Sequence, residues 1–240
     1  MSIQEKRQQR EQLILDHAIS LIEEAGFFSM KMSDLAKRAK LSVGTLYSHY
    51  PCKEDLLIAL AIKFSEQHLE WFRNSQKFGN TPAEKLIAAC LNDMVETSDQ
   101  VAMSELAHLS MAPSIWKRAS PLLTDRLHSF FNEAWQLFSN LVAEAAPEFG
   151  RDAFTEKENR SLNLGCWSLA VGIDALTFSS IIESETANVT QTDFAREDWG
   201  AIFIENLAKH LTGWGWTEPN PIEKVTEIFD TIQNSQTTSE

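Results

Sequence analysis

The stretch MSDLAKRAKLSVGTLYSHYPCKEDLL, residues 32–57, decides the interpretation of this chain of 240 residues. Its apolar positions recur at helical spacing on both sides of a short break, and Ser42 stands where it can cap the second segment. Leu35 and Leu46 can then hold the two short helices together, with the small Ala36 where they cross. The stretch therefore predicts a helix-turn-helix, whose second helix enters the major groove of DNA.

The distribution of charge supports a contact with DNA at this end of the chain. The whole chain has a net charge of −13, but residues 1–55 hold eight basic and eight acidic side chains. Within residues 31–53, five basic side chains stand against the single acid Asp34. This excess gives the helix-turn-helix the local positive charge that phosphate contact requires. The face expected to be exposed on the second helix carries hydrogen-bonding side chains, namely Ser42, Thr45, Tyr47, Ser48 and His49.

The remaining sequence predicts helices almost throughout. Amphipathic spacing predicts a first helix that ends at Gly26 and a long helix over about residues 54–78. Capping sequences or prolines open the helices expected after it, at residues 81–84, 120–121, 155–158, 193 (Asp193) and 220–223. Convincing strand alternation is absent from the sequence, so we expect an all-α protein. We place the helix-turn-helix DNA-binding domain at residues 1–55 and a larger helical domain at residues 56–240.

The N-terminal sequence resembles the TetR-type family of bacterial transcriptional regulators. The resemblance covers about residues 8–60 and is carried by DLAKRA at 34–39, by SVGTLYSHYPCKEDLL at 42–57 and by GFF at 26–28. The run that matches G-T-L-Y-x-H-[FY]-x-x-K is specific for this family. The resemblance implies a homodimer that binds a double-stranded DNA operator. It also implies a helical domain in which a small-molecule effector changes the spacing of the two DNA-reading heads.

The resemblance implies roles for individual residues at the helix-turn-helix. Thr45, Tyr47 and His49 match positions that contact bases or phosphates, and the two residues before Thr45 match variable positions that face the base edges. Lys53 matches a lysine that holds a phosphate at the start of the fourth helix, where the backbone N–H groups also favour an anion. The residues expected to contact DNA are Ser42, Val43, Gly44, Thr45, Tyr47, Ser48, His49 and Lys53.

Two residues depart from the family pattern. Lys40 stands where the turn usually has glycine, and a left-handed backbone there costs a non-glycine residue about 1 kcal/mol. Lys31 stands near the usual Ser or Thr cap of the second helix, which leaves Ser33 as the alternative cap. Cys52 has two open interpretations: beside Lys53 at a helix start, it is either a redox sensor with a lowered thiol pKa or an ordinary small residue in a turn.

The sequence also bears on compartment and on other classes of function. Three scattered cysteines indicate free thiols, and the charged start lacks a secretion signal, so we expect a cytoplasmic protein. Residues 162–182 are mostly apolar, but their polar members favour a helix buried on both sides at the dimer interface over a membrane span. Motifs for catalysis, metal binding and nucleotide binding are absent from the sequence, so we expect no enzyme, no metal and no cofactor.

The C-terminal part holds all seven tryptophans, and an apolar or aromatic effector is favoured for the cavity that the resemblance implies. Asp174 is the only charge in residues 162–182, and three interpretations stay open for it. It meets water at a rim, it pairs across the dimer with a group such as Lys209 or His210, or it faces the effector. The main interpretation is a repressor; the alternatives are an activator or co-regulator of the same fold, and a helical small-molecule-binding protein that has lost DNA binding.

Overall fold

The computed structural model describes residues 2–97, 101–177 and 198–237, and these residues form helices, turns and loops without a β-strand. The all-α prediction is thereby confirmed for the described chain. No helix among the described residues is long and apolar enough to cross a membrane. In chain order the helices are α1 (Ile3–Ala25), α2 (Met32–Arg38), α3 (Val43–His49), α4 (Lys53–Ser75), α5 (Pro82–Thr97), α6 (Val101–Ser110), α7 (Pro113–Trp116), α8 (Pro121–Glu144), α9 (Glu156–Thr177), α10 (Asp198–Gly213) and α11 (Pro221–Thr237).

The helix ends follow the capping signals in the sequence. At the start of α1, the hydroxyl of Ser2 accepts a hydrogen bond from the Glu5 backbone N–H, and the Glu5 carboxylate accepts one from Ser2. The same helix ends at Gly26, whose φ of 76° suits a residue without a side chain. Helix α4 ends earlier than the predicted residue 78, because residues Gln76–Phe78 form a 3-10 helix.

Two of the predicted caps of the later helices form their capping hydrogen bonds. Before α5, the Thr81 hydroxyl accepts from the Glu84 backbone N–H at 3.3 Å. Before α9, the Thr155 hydroxyl accepts from the Glu158 backbone N–H, also at 3.3 Å. The cap predicted at Asp193 lies outside the described residues, and α10 begins at Asp198.

The chain divides by its internal packing into two compact units. The first unit comprises the described residues within 1–66 and 100–130, and the second comprises those within 67–99 and 131–240. The first unit thus contains α6, α7 and the start of α8 in addition to the helix-turn-helix. The domain boundary placed between residues 55 and 56 stays a prediction.

A continuous apolar core holds the first unit together. Leu35 of α2 and Leu46 of α3 are fully buried, and Ala36 is 1% exposed, which confirms their predicted role in packing the two short helices. Leu106 of α6 joins the same core. Because α1, α2, the start of α4 and α6 all contribute to it, α3 rests on a support built from most of this unit.

A second core lies among α5, the end of α8, α9, α10 and α11. It combines aliphatic side chains with aromatic ones, among them Phe149, Phe203 and Trp216. Its largest fully buried side chains include Leu86, Ile87, Leu91 and Phe203.

Candidate DNA-binding site

Helix α3 has one buried face and one exposed face. Leu46 is fully buried and Tyr50, just after the helix, is 5% exposed. On the opposite face Tyr47 is 44% exposed and Val43 is 45% exposed. An aromatic and an aliphatic side chain therefore point toward solvent, although the neighbouring Leu46 and Tyr50 are buried. Among the other predicted contacts, Ser42, Gly44 and Ser48 are exposed and Thr45 is half-buried.

The three hydroxyl groups of this face are ordered by hydrogen bonds within the helix. Ser42 Oγ accepts from the Thr45 backbone N–H at 3.0 Å and lies 2.7 Å from Thr45 Oγ1. Ser48 Oγ donates to the Thr45 carbonyl oxygen at 2.6 Å. Because one hydrogen serves the Ser42–Thr45 contact, the second hydroxyl hydrogen of that pair remains able to donate outward. The pair is thus suited to a phosphate oxygen or a base acceptor.

Gly44 leaves the exposed face at the start of α3 without a side chain. A Cβ atom built at this position would meet only Ser42 Oγ, at 3.9 Å, so packing within the chain does not require the glycine. A side chain here would instead project from the exposed face between Val43 and Thr45. The glycine therefore lets the backbone of α3 come close to whatever surface the helix contacts.

His49 does not lie where the sequence predicted it. The expectation of an exposed imidazole is wrong, because its side chain is only 6% exposed and Nδ1 lies 3.2 Å from Glu11 Oε1. The same carboxylate oxygen accepts a hydrogen bond from Arg7 Nε at 2.9 Å. Glu11 thus links α3 to α1. Sequence reasoning missed this residue, because Glu11 and His49 are 38 positions apart in the sequence. A contact of His49 with DNA stays a prediction.

Lys53 has a structural role that the sequence did not indicate. Its Nζ donates to the carbonyl oxygens of Met30 at 2.8 Å and Phe28 at 3.1 Å, and it lies 4.5 Å from the centroid of the Phe27 ring. Burial lowers the pKa of this ammonium group. An ammonium has three donors, so two of them fix the loop between α1 and α2 and one remains for a phosphate.

The two residues that depart from the family pattern, Lys40 and Lys31, both affect the local backbone. Lys40 has a φ of 56°, and it is the non-glycine residue with a left-handed backbone among those described. Lys31 precedes α2 without a side-chain cap. The turn of the helix-turn-helix therefore forms with a strained lysine, and α2 begins with its N-terminal amides uncapped by that side chain.

Cys52 lies in the turn between α3 and α4. Its Sγ donates to the Arg118 carbonyl oxygen at 3.6 Å and accepts from the Asp55 backbone N–H at 3.4 Å. Burial raises the pKa of the thiol. This direction opposes the redox-sensor interpretation, which needed a lowered pKa, and favours an ordinary turn residue.

A second surface with functional potential lies on α9. Leu162, Asn163 and Cys166 are buried, whereas Leu164, Trp167 and Leu176 are each 45% exposed. Within one chain, one face of the helix is therefore buried and the other is exposed, and burial of the exposed face at a dimer interface stays a prediction. Phe131 of α8, itself 36% exposed, lies beside Trp167 with ring centroids 6.5 Å apart. Residues 178–182 lie outside the described chain. The partially buried Asp174 keeps its three interpretations as predictions.

A short capped helix with exposed hydroxyl groups, seated on a buried helical core, is the geometry of a helix-turn-helix DNA-binding protein. Residues 14–60 match the family model described as "Bacterial regulatory proteins, tetR family". The resemblance inferred from the sequence is thus confirmed for this N-terminal region.

Two curated relatives align with the same end of the chain. The "Fatty acid metabolism regulator protein" of Bacillus subtilis is 36% identical over 73 residues, which cover 30% of this chain and 38% of that protein. The "HTH-type transcriptional repressor KstR" of Mycobacterium tuberculosis is 34% identical over 83 residues, or 34% of this chain and 37% of that protein. The chain thus spans less than half the length of these curated relatives.

The likeness in fold extends further than the likeness in sequence. The transcriptional regulator FadR from Bacillus subtilis, solved in complex with stearoyl-CoA, superimposes with a TM-score of 0.58 at 18% identity. The match covers 84% of this chain and 98% of the FadR chain. The predicted fold, a helix-turn-helix followed by a larger helical domain, is therefore confirmed.

Proposed function

We propose that this chain is a ligand-responsive transcriptional regulator that binds a palindromic DNA operator as a homodimer. The observation that carries the proposal is the exposed face of α3, where Val43 and Tyr47 stand outward from a buried support. Neither side chain contributes to the core, and the ordered hydroxyls beside them offer donors and acceptors to DNA. Such a regulator acts in the cytoplasm, where promoter DNA is accessible.

Repression is the mode of action that the relatives favour. KstR is named a transcriptional repressor, and it shares 34% of its aligned residues with this chain. The alternative is a regulator that activates transcription through protein contacts. A transcription reporter in cells with and without the protein distinguishes the two, because a repressor lowers expression from its operator and an activator raises it.

The exposed face of α9 supports the homodimer. Leu164 and Trp167 are each 45% exposed on a helix whose other face is packed into the core. Burying such side chains against a second copy removes apolar surface from water and stabilises the pair. Two copies also supply two recognition helices, and one small module buries too little DNA for high specificity.

An apolar effector is supported by the structural relative and by the aromatic interior of the second unit. FadR was solved with stearoyl-CoA, whose acyl chain is a long apolar group. In this chain Phe72 and Phe138 pack edge to face with centroids 4.9 Å apart, close to the core of the second unit. We therefore propose an effector with a long acyl chain or a comparable apolar body. The interpretation of the chain as a non-enzyme belongs to the same proposal.

The experiment that tests this function is selection of bound duplexes from random oligonucleotides by the purified full chain. The proposal predicts enrichment of a palindrome whose two half-sites are separated by a multiple of a helical turn, as two recognition helices require. Binding that enriches no sequence, or only a single half-site, would overturn the proposed dimeric operator. A helical carrier that has lost DNA binding would give no salt-dependent binding to any duplex.

A further inference from the structure

Three reactive side chains meet in the core of the second unit. Cys90 lies on α5, Cys166 on α9 and His210 on α10. The Cys166 thiol forms hydrogen bonds with Cys90 and with the His210 imidazole. Cys90 is 4% exposed and Cys166 is 1% exposed, whereas His210 is half-buried. Cys90 and His210, on two different helices, therefore both reach the Cys166 thiol on a third.

The sequence around Cys166 is built to admit the imidazole. A Cβ atom at the preceding Gly165 would lie 2.3 Å from His210 Cε1 and 2.4 Å from Nε2, so only glycine leaves room for the ring. His210 Nε2 lies 3.3 Å from the Leu162 carbonyl oxygen, which fixes the ring along α9. Gly165 and Leu162 together hold the imidazole beside the Cys166 thiol.

The contacts favour the ionised form of Cys166. The hydrogen bond from Cys90 and the adjacent His210 lower the pKa of the Cys166 thiol, and they outweigh the opposing effect of burial. The hydrogen bond with Cys166 in turn raises the pKa of His210. The cluster thus stabilises a thiolate next to an imidazolium, and the thiolate is the nucleophilic form of cysteine. Cys52, with a raised pKa, has the opposite environment.

We propose that Cys90 and Cys166 form a reversible redox site that a peroxide converts into an intrachain disulfide. The Cys166 thiolate attacks one peroxide oxygen, the O–O bond breaks, and the leaving hydroxide takes a proton from the His210 imidazolium to become water. The product is a sulfenic acid on Cys166. The Cys90 sulfur then attacks the Cys166 sulfur, the S–OH bond breaks, and a second water leaves. Two thiols lose two electrons and two protons, and one peroxide becomes two waters.

Formation of the disulfide would shift the two helices that carry the cysteines. A sulfur–sulfur bond measures about 2.05 Å, which is shorter than any hydrogen-bonded contact between two thiols. Helices α5 and α9 must therefore move closer to each other. Interiors are close-packed, and such a shift is passed on to the surrounding side chains. Because both thiols are buried, oxidation requires local opening of the core and is slower than oxidation of an exposed thiolate. The site stands independently of the proposed DNA-binding function.

The test uses the full-length protein and hydrogen peroxide. After treatment, remaining thiols are alkylated in denaturant and the unreduced peptides are mapped by mass spectrometry. The proposal predicts one pair of joined peptides containing Cys90 and Cys166, lighter by two hydrogens, with Cys52 still alkylated and with full reversal by dithiothreitol. Cys52→Ser should form the same disulfide, and Cys90→Ser should leave a Cys166 sulfenic acid that dimedone traps.

The contribution of His210 is tested by the rate of the same reaction. His210→Gln retains a polar side chain but cannot supply a proton, so disulfide formation should slow several-fold near neutral pH and recover as the pH rises above the thiol pKa. Circular dichroism of each variant checks that it is folded. The proposal is overturned when folded wild-type protein treated with peroxide keeps both Cys90 and Cys166 alkylatable, or when its disulfide joins Cys52 of two chains.

Discussion

Lys53 shows at the scale of one residue how a single ammonium group can serve structure and binding together. Two of its donors bind the carbonyl oxygens of Met30 and Phe28, and Phe27 lies under the charge. These bonds fasten the loop after α1 to the start of α4. The third donor is the one that a phosphate can use. Sequence reasoning predicted the phosphate role alone, because the loop carbonyls have no signature in the sequence.

Lys53→Ala should therefore have two effects. We expect the free energy of unfolding to fall by about 1 to 3 kcal/mol, because two carbonyl groups lose a charged donor. We also expect weaker binding to all DNA sequences alike, with a salt dependence shallower by about one unit. Denaturant titration and DNA titrations at several salt concentrations measure these effects. The exposed Lys37→Ala is the stability control; an unchanged salt slope in Lys53→Ala would leave Lys53 with its structural role only.

Lys40 carries a backbone strain that glycine would relieve. Its φ is 56°, in the region that L-residues with a Cβ atom avoid. Lys40→Gly should raise the free energy of unfolding by up to about 1 kcal/mol, since the relief exceeds the extra entropy of an unfolded glycine. Lys40→Ala removes the same charge but keeps the Cβ atom, so it is the matched control. Equal unfolding free energies for the two variants would show that this strain is negligible.

The candidate site was predictable where it depends on local sequence and not where it depends on distant contacts. The spacing of Leu46 and the cap at Ser42 placed Tyr47 outward, and the resemblance implied the same for Val43, as the structure has them. The burial of His49 depends on Glu11, 38 residues earlier on α1. Helical periodicity gives the face of a residue on its own helix, but it does not reveal which neighbouring helix covers that face.

At the scale of elements, the exposed apolar face of α9 is the most informative feature. Its apolar sequence predicted burial on both sides at a dimer interface, and within one chain the face with Leu162 and Cys166 is the buried one. Leu164, Trp167 and Leu176 remain 45% exposed. A composition that predicts burial, on a face that one chain leaves exposed, is what the proposed homodimer requires.

A charge on this face should therefore disrupt the dimer. We expect Trp167→Glu to shift the full chain to monomer in analytical ultracentrifugation, because the dimer would have to bury an unpaired carboxylate. Leu122→Glu is the control: Leu122 is 81% exposed on α8, so its replacement should leave the dimer intact. A Trp167→Glu protein that dimerises as tightly as wild type would show that this face of α9 lies outside the interface.

At the scale of the whole molecule, the sequence predicted both parts of the chain but not how the helices are shared between them. The first unit includes α6, and its Met103 and Leu106 contribute to the core that supports the helix-turn-helix. Nothing in the local pattern of α6 specifies that long-range packing. The helix-turn-helix motif could be found because its turn, cap and polar face are local signals within about 25 residues.

Effector binding should be reported by the tryptophans, since none of the seven lies in residues 1–70. We expect stearoyl-CoA to change the intrinsic fluorescence in a saturable manner and to release the protein from DNA. Coenzyme A alone is the control and should do neither, because it lacks the acyl chain. Release of DNA by stearoyl-CoA with every tryptophan signal unchanged would contradict an effector site in the aromatic part of the chain.

The central claim is that the exposed face of α3 reads DNA, and Tyr47 tests it most directly. The measurement is a fluorescence anisotropy titration of Tyr47→Ala against an enriched palindromic duplex and against a scrambled duplex of equal length, with Leu122→Ala as control. Tyr47 is 44% exposed, so its truncation should not alter folding.

We expect Tyr47→Ala to weaken binding to the palindrome by about 1 to 3 kcal/mol while binding to the scrambled duplex stays nearly constant, because only a base-reading contact discriminates between the two. Leu122→Ala should bind both duplexes as wild type does. A folded Tyr47→Ala protein that keeps the full wild-type preference for the palindrome would contradict the assignment of this face as the DNA-reading surface.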